Sequence, residues 1–101
     1  MIIFVKNSYQ IEQEVVNLPP SAKFVLYLLQ TKGVLNRQEI IQHSLLPKRT
    51  AAMGLKALID HGMATKIQGD ELKKMDRHYR TRIDYRHVYY KSIIPNFFND
   101  G

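Results

Sequence analysis

The sequence predicts an α+β domain in which three helices precede a small antiparallel β-structure. Apolar residues recur at the spacing of amphipathic helices between Pro20 and Gly62, whereas β-branched and aromatic residues cluster between Ile83 and Lys91. The Gly69-Asp70 pair supplies turn chemistry between these residues and an earlier β-like segment. With 101 residues and no cysteine, the chain is expected to form one domain without disulfides or thiolate metal sites.

The first seventeen residues are compatible with either a helix or a β-hairpin. Ile11, Val15 and Leu18 would share one helical face, but Ile2–Val5 and the alternation after it fit a hairpin that turns near Asn7. Both alternatives remain open, and residues 1–17 are treated as an N-terminal extension. The apolar run Ile2–Val5 is too short for a signal peptide or a membrane span, so a cytoplasmic location is expected.

The first helix of the domain is expected from about Pro20 to Lys32. Proline is tolerated in a first helical turn because its missing N–H would have no partner there. Gly33 can adopt the left-handed conformation that ends many helices. The apolar stripe predicted to face the core consists of Phe24, Val25, Leu28 and Leu29.

A second helix is expected after a short extended segment at Val34-Leu35. Asn36 can cap this helix, and Glu39 follows three residues later, as a capping box requires. The helix should end near His43 and Ser44, with Leu45-Leu46 turned into the core.

The third helix is expected from Pro47 to His61, with two distinct faces. The inward stripe comprises Ala51, Leu55, Leu58 and Ile59, and the outward one Arg49, Met53, Lys56 and Asp60. Gly54 and Ala57 would permit close approach of a neighbouring helix, and Gly62 suits the position after the helix end, with Met63 as its apolar contact.

Strands are expected at Met63–Gln68 and Ile83–Lys91, joined through a turn at Gly69-Asp70. The intervening segment Glu71–Arg82 is longer than a tight hairpin needs, so it forms either an extended wing or a helical turn. Residues 92–101 form an apolar tail that requires a partner, on this domain or on a second subunit.

This order of elements predicts a winged helix-turn-helix domain over residues 18–91, and the distribution of charge points to DNA. The net charge is +6, and residues 47–91 hold eleven Lys or Arg against five Asp or Glu, whereas residues 1–46 hold four against three. The basic character therefore begins where the third helix begins, as expected for a recognition helix followed by a basic wing.

Ten residues are candidate DNA contacts. Arg49 is suited either to paired hydrogen bonds with guanine or to a phosphate, and Thr50 either to a phosphate or thymine methyl or to local backbone bonding. The candidates on the third helix are Lys48, Arg49, Thr50, Met53 and Lys56, and those on the wing are Lys73, Lys74, Arg77, Arg80 and Arg82.

The strings LPPSAKFVLYLL, EIIQHSLLPKRTAAMGLKALIDHGM and DYRHVYY resemble the small MarR-like winged-helix regulators of archaea and their viruses. The resemblance covers residues 18–91 and implies duplex DNA as partner, usually bound by a homodimer. It implies that the recognition helix, residues 47–61, lies in the major groove and that the basic wing, residues 66–86, lies at the minor groove. The contacts implied are Lys48, Arg49, Thr50 and Met53 on the helix and Arg77, Arg80 and Arg82 on the wing. The acid-x-Arg wing signature of that family has two candidates, Asp84-Tyr85-Arg86 and the imperfect Asp76-Arg77, in which no residue separates the acid from the arginine.

No enzyme or cofactor motif accompanies this pattern. There is no phosphate-binding loop, nucleophile elbow or dinucleotide fingerprint, and no two histidines have the i, i+4 spacing of a zinc helix. We therefore expect a non-enzymatic, sequence-specific transcription regulator without cofactors or an identifiable small-molecule ligand. The alternatives are a non-specific architectural DNA binder and a winged-helix module for protein interaction.

Overall fold

Five helices and a three-stranded antiparallel sheet make up residues 8–75 and 83–95, the part of the chain that this computed structural model describes. In chain order the elements are α1 (Ser8–Val16), α2 (Pro20–Lys32), β1 (Leu35–Asn36), α3 (Arg37–Ser44), α4 (Lys48–Asp60), β2 (Ala64–Gln68), α5 (Gly69–Met75) and β3 (Val88–Ser92). The predicted α+β class is confirmed, and the order of elements is compatible with a winged helix.

Helix α1 decides between the two structures considered for the N-terminal extension. Residues 8–16 are helical, so the strand alternative is wrong over this range, while the predicted hairpin turn at Asn7 lies outside the described residues. Val15 is buried in the main core and Ile11 packs against it. The extension therefore contributes to the same core as the helices that follow.

Helix α2 has the predicted bounds, but one residue of its expected stripe faces outward. Pro20 lies in the first turn, and Gly33 has φ 84° and donates its N–H to the Leu29 carbonyl at 3.1 Å. Phe24 was predicted to face the core and is instead exposed, where its ring stacks on Tyr27 at a centroid distance of 6.3 Å. The core-facing side consists of Ala22, Val25, Leu26, Leu28 and Leu29.

Helix α3 begins with the predicted capping box. The Glu39 N–H donates to the Asn36 side-chain oxygen at 2.8 Å, and the Asn36 N–H donates to the Glu39 carboxylate at 2.9 Å. The predicted turn after the helix is half right. Leu46 packs against the core, but Leu45 adopts a left-handed conformation with φ 59° and is 89% exposed. A residue held in that conformation ends the helix and directs its side chain to solvent.

Helix α4 ends in a Schellman motif and approaches α2 closely. Met63 donates its N–H to Leu58 at 2.8 Å and Gly62 to Ile59 at 3.0 Å, so the last carbonyls are satisfied. A Cβ at Gly54 would lie 2.9 Å from the backbone of Ser21. The absence of a side chain at position 54 therefore allows α4 to pack tightly on α2, as predicted.

The sheet has the order β1-β3-β2, with β3 in the centre. Lys66 pairs with Tyr90 and Ile67 with Tyr89 in the β2–β3 ladder. Because successive strand residues face opposite sides, Tyr90 joins the main helical core while Tyr89 joins a second cluster. The predicted strand Ile83–Lys91 is too long at its start, since β3 begins only at Val88.

The second cluster is formed by α5, which occupies a position that the sequence predicted as a turn. Gly69 and Asp70 begin this helix, so the turn is wrong and the helical alternative for the following segment is confirmed up to Met75. Leu72 is buried against Ile83 and Tyr89. A Cβ at Gly69 would overlap the Asp84 carbonyl oxygen, so the close packing of 84–85 over the helix start requires glycine. Helix α5 thus covers the sheet face opposite α2–α4.

Among the helices of the described ranges, none is both long and apolar enough to cross a membrane.

Candidate nucleic-acid interface

Helix α4 presents its predicted outward face to solvent. Lys48 and Arg49 are exposed at its first turn, and Met53 is 62% exposed one turn later. The opposite face holds the helix in place through Ala51, Leu55 and Leu58, which are all buried. Thr50 is half-buried beside Arg49. The division of this helix into a packed face and a basic, open face is therefore as predicted.

Two basic residues from other elements lie beside this face, and sequence reasoning missed both. Arg37 is the first residue of α3, and Lys66 lies in the middle of β2. Together with Arg49 and Lys56 they line a groove of about 470 Å³ along the flank of α4, hereafter the α4 groove. The residues that line it are Arg37, Arg49, Ala52, Met53, Leu55, Lys56, Ile59, Asp60, Lys66 and Tyr90.

The alternation of residues in β2 predicts that Lys66 faces the helices, whereas no pattern in the sequence predicts that Arg37 lies at the groove. In β2, Ala64 and Lys66 alternate onto the same face, so a strand with Ala64 in the core also directs Lys66 to the helical side of the sheet. Arg37 follows the cap residue Asn36, and only the packing of α3 against α4 brings it to the groove. That proximity depends on tertiary structure, which no local pattern encodes.

The groove carries an excess of positive charge. Lys56 and Asp60 form an ion pair at 3.1 Å, and both side chains are mostly exposed, so the pair contributes little to stability. Asp60 is the only acidic residue in the lining. Within the described ranges, Arg37, Arg49 and Lys66 form no ion pair with a carboxylate, and their charges remain available to an anionic partner.

A smaller depression of about 280 Å³ adjoins the α4 groove and shares Arg37 and Tyr90 with it. It also contains Asn36, Gln38 and His87. The Asn36 side chain is occupied by the capping box, whereas Gln38 and His87 are exposed at the surface. This depression therefore extends the surface from α4 across the start of α3 toward the start of β3, but it adds no lysine or arginine beyond Arg37.

An ion pair between Asp84 and Arg86 lies in the segment that leads into β3. The Arg86 guanidinium donates to both carboxylate oxygens, at 3.2 and 3.0 Å, and the Arg86 N–H donates to Oδ1 at 2.9 Å. These hydrogen bonds from Arg86 lower the pKa of Asp84 to about 2. His87 Nε2 lies 3.5 Å from the same carboxylate. Of the two acid-x-Arg candidates, Asp84-Tyr85-Arg86 makes this pair, and the other lies outside the described residues.

The predicted wing residues are placed differently from the expectation. Lys73 and Lys74 lie on helix α5 rather than on a β-wing. Lys73 places its Nζ 5.7 Å from the centroid of the Tyr85 ring, while Lys74 is exposed. Neither lines the α4 groove. Arg77, Arg80 and Arg82 lie outside the described residues.

The histidines in the described ranges do not assemble a metal site. No three His, Asp or Glu side chains of residues 8–75 and 83–95 are placed to share an ion. His61 instead has its Nδ1 2.8 Å from the Ala57 carbonyl at the end of α4.

Comparison of the chain with protein families, with curated proteins and with solved structures finds no match. Its function is therefore inferred from its own residues and their geometry.

Proposed function

We propose that the protein is a winged helix-turn-helix regulator that binds specific sequences in double-stranded DNA. Helices α3 and α4 form the helix-turn-helix, and β2 and β3 flank the wing. The observation that carries the proposal is the exposed basic face of α4, extended by Arg37 and Lys66 into one cationic surface. Such a surface fits the negative potential of a duplex.

The major groove is the place for α4 in this proposal. A helix with its side chains is about 10–12 Å wide and the groove about 12 Å, so an exposed helix face can reach the base edges. Arg49 then reads guanine through its two parallel N–H donors, or binds a phosphate. Arg37 and Lys66 lie beside α4, where the phosphate backbones border the groove, and they fix the position of the helix on the duplex.

A homodimer is proposed for the bound state. One module of this size offers few side chains to base edges, whereas two modules related by a two-fold axis read a palindrome. Their half-sites would lie about 34–36 Å apart, one turn of the duplex. The ion pair of Asp84 and Arg86 supports the proposed MarR-like character, because its acid-x-Arg spacing matches the wing signature of that family.

Selection of bound duplexes from a random pool tests the proposal. We expect the wild-type protein to enrich a palindromic motif, and Arg49→Gln to relax the selection at one position of each half-site. Lys32→Gln is the matched control, since Lys32 is an exposed basic side chain at the end of α2 and does not line the groove. Enrichment of no motif contradicts sequence-specific binding. The same motif at every position in the Arg49 variant and its control excludes guanine reading by Arg49 and leaves this residue a phosphate contact.

A non-specific architectural DNA binder is the second candidate. The observation that favours it is that the polar lining of the α4 groove consists of charged side chains and Tyr90, without Asn or Gln. Lysine in particular contacts phosphates as a point charge and reads sequence poorly. Competition separates the two: a specific duplex that outcompetes random DNA by about 10³-fold or more identifies a regulator, and a ratio near one identifies the architectural protein.

A further inference from the structure

Leu45, in the turn between α3 and α4, combines two features that are unfavourable in an isolated chain. It is apolar yet 89% exposed, more than any other large hydrophobic side chain of the described residues. Among those residues it is also the one non-glycine with a positive φ, at 59°, a conformation that glycine and asparagine adopt with less strain. Leu45 belongs to neither hydrophobic cluster, so burial in the described core offsets neither cost. We therefore expect its side chain to contact a molecule outside the chain.

Hydrogen bonds hold the turn in this conformation. Ser44 is buried, and its hydroxyl donates to the Ile41 carbonyl at 3.2 Å and accepts from the Leu46 N–H at 3.2 Å. The Leu45 N–H also donates to the Ile41 carbonyl at 3.2 Å, and Leu46 packs against the main core. Leu45 is thus held facing away from the core before any partner binds, and contact with a partner requires little further ordering of the backbone.

The charge around Leu45 indicates the class of its partner. Between Glu39 and Asp60 the sequence holds three Lys or Arg and no acidic residue. Two of these cations, Lys48 and Arg49, are exposed three and four residues after Leu45. No other large hydrophobic side chain of α3 or of this turn is exposed, so the apolar patch on which protein interfaces are built is missing there. A single aliphatic group beside exposed cations instead complements DNA, whose backbone is anionic and whose base edges carry methyl groups.

We propose that Leu45 reads thymine in the major groove, through contact between its side chain and the 5-methyl group of the base. The inference deepens the proposed DNA-binding function and rests on it, because it takes α4 to lie in the major groove. Leu45 precedes Lys48, the first residue of α4, by three positions, so its side chain lies at the edge of that groove. The thymine methyl is the apolar group that base pairs present there. The DNA partner is thereby narrowed to duplexes with a thymine at one fixed position of each half-site.

Replacement of thymine by uracil tests this contact, because uracil lacks the 5-methyl group and pairs with adenine through the same hydrogen bonds. The probe is the duplex recovered from the random pool, with copies in which thymines are replaced by uracil at one position of each half-site at a time. Fluorescence anisotropy gives the affinity of the full chain for each copy. At one position we expect the wild type to lose about fourfold in affinity for each half-site, the value for one buried methyl group. Leu45→Asn should bind the thymine and uracil duplexes equally at that position and should keep the losses at any other thymine.

Leu45→Asn also separates the contact from the stability of the fold. Asparagine tolerates the left-handed conformation, and removal of an exposed leucine costs no core contact, so the midpoint of urea unfolding should stay unchanged or rise. Val16→Asn is the matched control, because it removes another exposed aliphatic side chain, at the end of α1 and outside the helix-turn-helix. It should bind DNA like the wild type and keep the fourfold response to uracil.

The outcomes separate the thymine contact from the regulator function. A protein that binds no duplex, or binds duplexes without selecting a motif, refutes both together. A selected motif without thymine, or a uracil response of Leu45→Asn that equals the wild-type response at every position, refutes the thymine contact alone and leaves the regulator standing. Unchanged affinity of Leu45→Asn for the thymine duplex also refutes the contact, and leaves a protein as the partner of this leucine.

Discussion

The proposed DNA contact predicts a steep and countable dependence on salt. Five exposed cations lie on or beside the basic face of α4: Arg37, Lys48, Arg49, Lys56 and Lys66. If each neutralises one phosphate, log K falls by about 4.5 for each tenfold rise in salt. Raising the salt from about 50 to about 200 mM then weakens binding about 500-fold for each protomer, and a homodimer doubles the slope.

Removal of one cation changes this slope by a fixed amount. Lys66→Gln leaves four phosphate contacts, so the slope falls to about −3.6 and the same rise in salt weakens binding only about 150-fold. Lys66 is an exposed residue in the middle of β2, and glutamine can replace it without loss of strand pairing or core contacts. The variant therefore isolates the electrostatic contribution of a single side chain.

Fluorescence anisotropy with a labelled duplex at several salt concentrations measures both slopes. Lys32→Gln serves as the control because it removes the same charge from the chain outside the groove. An affinity that barely responds to salt would refute the electrostatic reasoning altogether. Equal slopes for the wild type and Lys66→Gln would show that the duplex does not reach β2.

Three further predictions concern the stability of the fold that supports the basic face of α4. Leu72→Ala should lower the free energy of unfolding in urea by about 3 kcal/mol, because it leaves a cavity in the second hydrophobic cluster, beneath α5. Lys74→Ala, at an exposed position on the same helix, should change it by less than about 0.5 kcal/mol, and equal effects would contradict the burial of α5. Asn36→Ala should lower the free energy of unfolding by about 1 kcal/mol, because it removes the capping box at the start of α3. The same urea unfolding assay measures this change, and an unchanged midpoint would show that the capping box does not stabilise the fold. The ion pair with Arg86 lowers the pKa of Asp84 to about 2 in the folded state, below its ordinary value of 3.8. The pair therefore stabilises the fold fully above about pH 4, and this stabilisation is lost as the pH falls from about 4 to 2 and the carboxylate is protonated. NMR titration of the Asp84 carboxyl should show this low midpoint and its rise toward 3.8 in Arg86→Gln; an unmoved midpoint would exclude Arg86 as its cause.

Where a local chemical signal marked the end of an element, the sequence predicted the structure to within one residue. Pro20 and Gly33 bound α2, and the Asn36–Glu39 capping box begins α3. Gly62 ends α4 through its positive φ of 70°. These positions are determined by the conformations that proline and glycine allow and by short-range hydrogen bonds, all of which are visible in the sequence.

The errors arose where distant contacts override a local preference. Gly-Asp is common in turns, yet Gly69 begins a helix because the backbone of residues 84–85 packs directly over it and Leu72 is buried beneath Ile83. The α4 groove was missed for the same reason, because Arg37 and Lys66 are far apart in the sequence and come together only in the folded chain. Leu45 has a different, local cause: its left-handed backbone conformation ends α3 and leaves its apolar side chain exposed.

The position of the Lys66 charge in the groove depends on the register of β2 against β3, which is determined by Tyr89 and Tyr90. Tyr89 and Tyr90 enter opposite hydrophobic clusters, so a shift of β2 by one residue against β3 would invert every side chain of β2. Lys66 would then point beneath α5, where its ammonium group would lose water without gaining a partner. Lys66 lines the α4 groove only in the correct register, and it penalises chains in which β2 is shifted, so this residue also favours the correct fold.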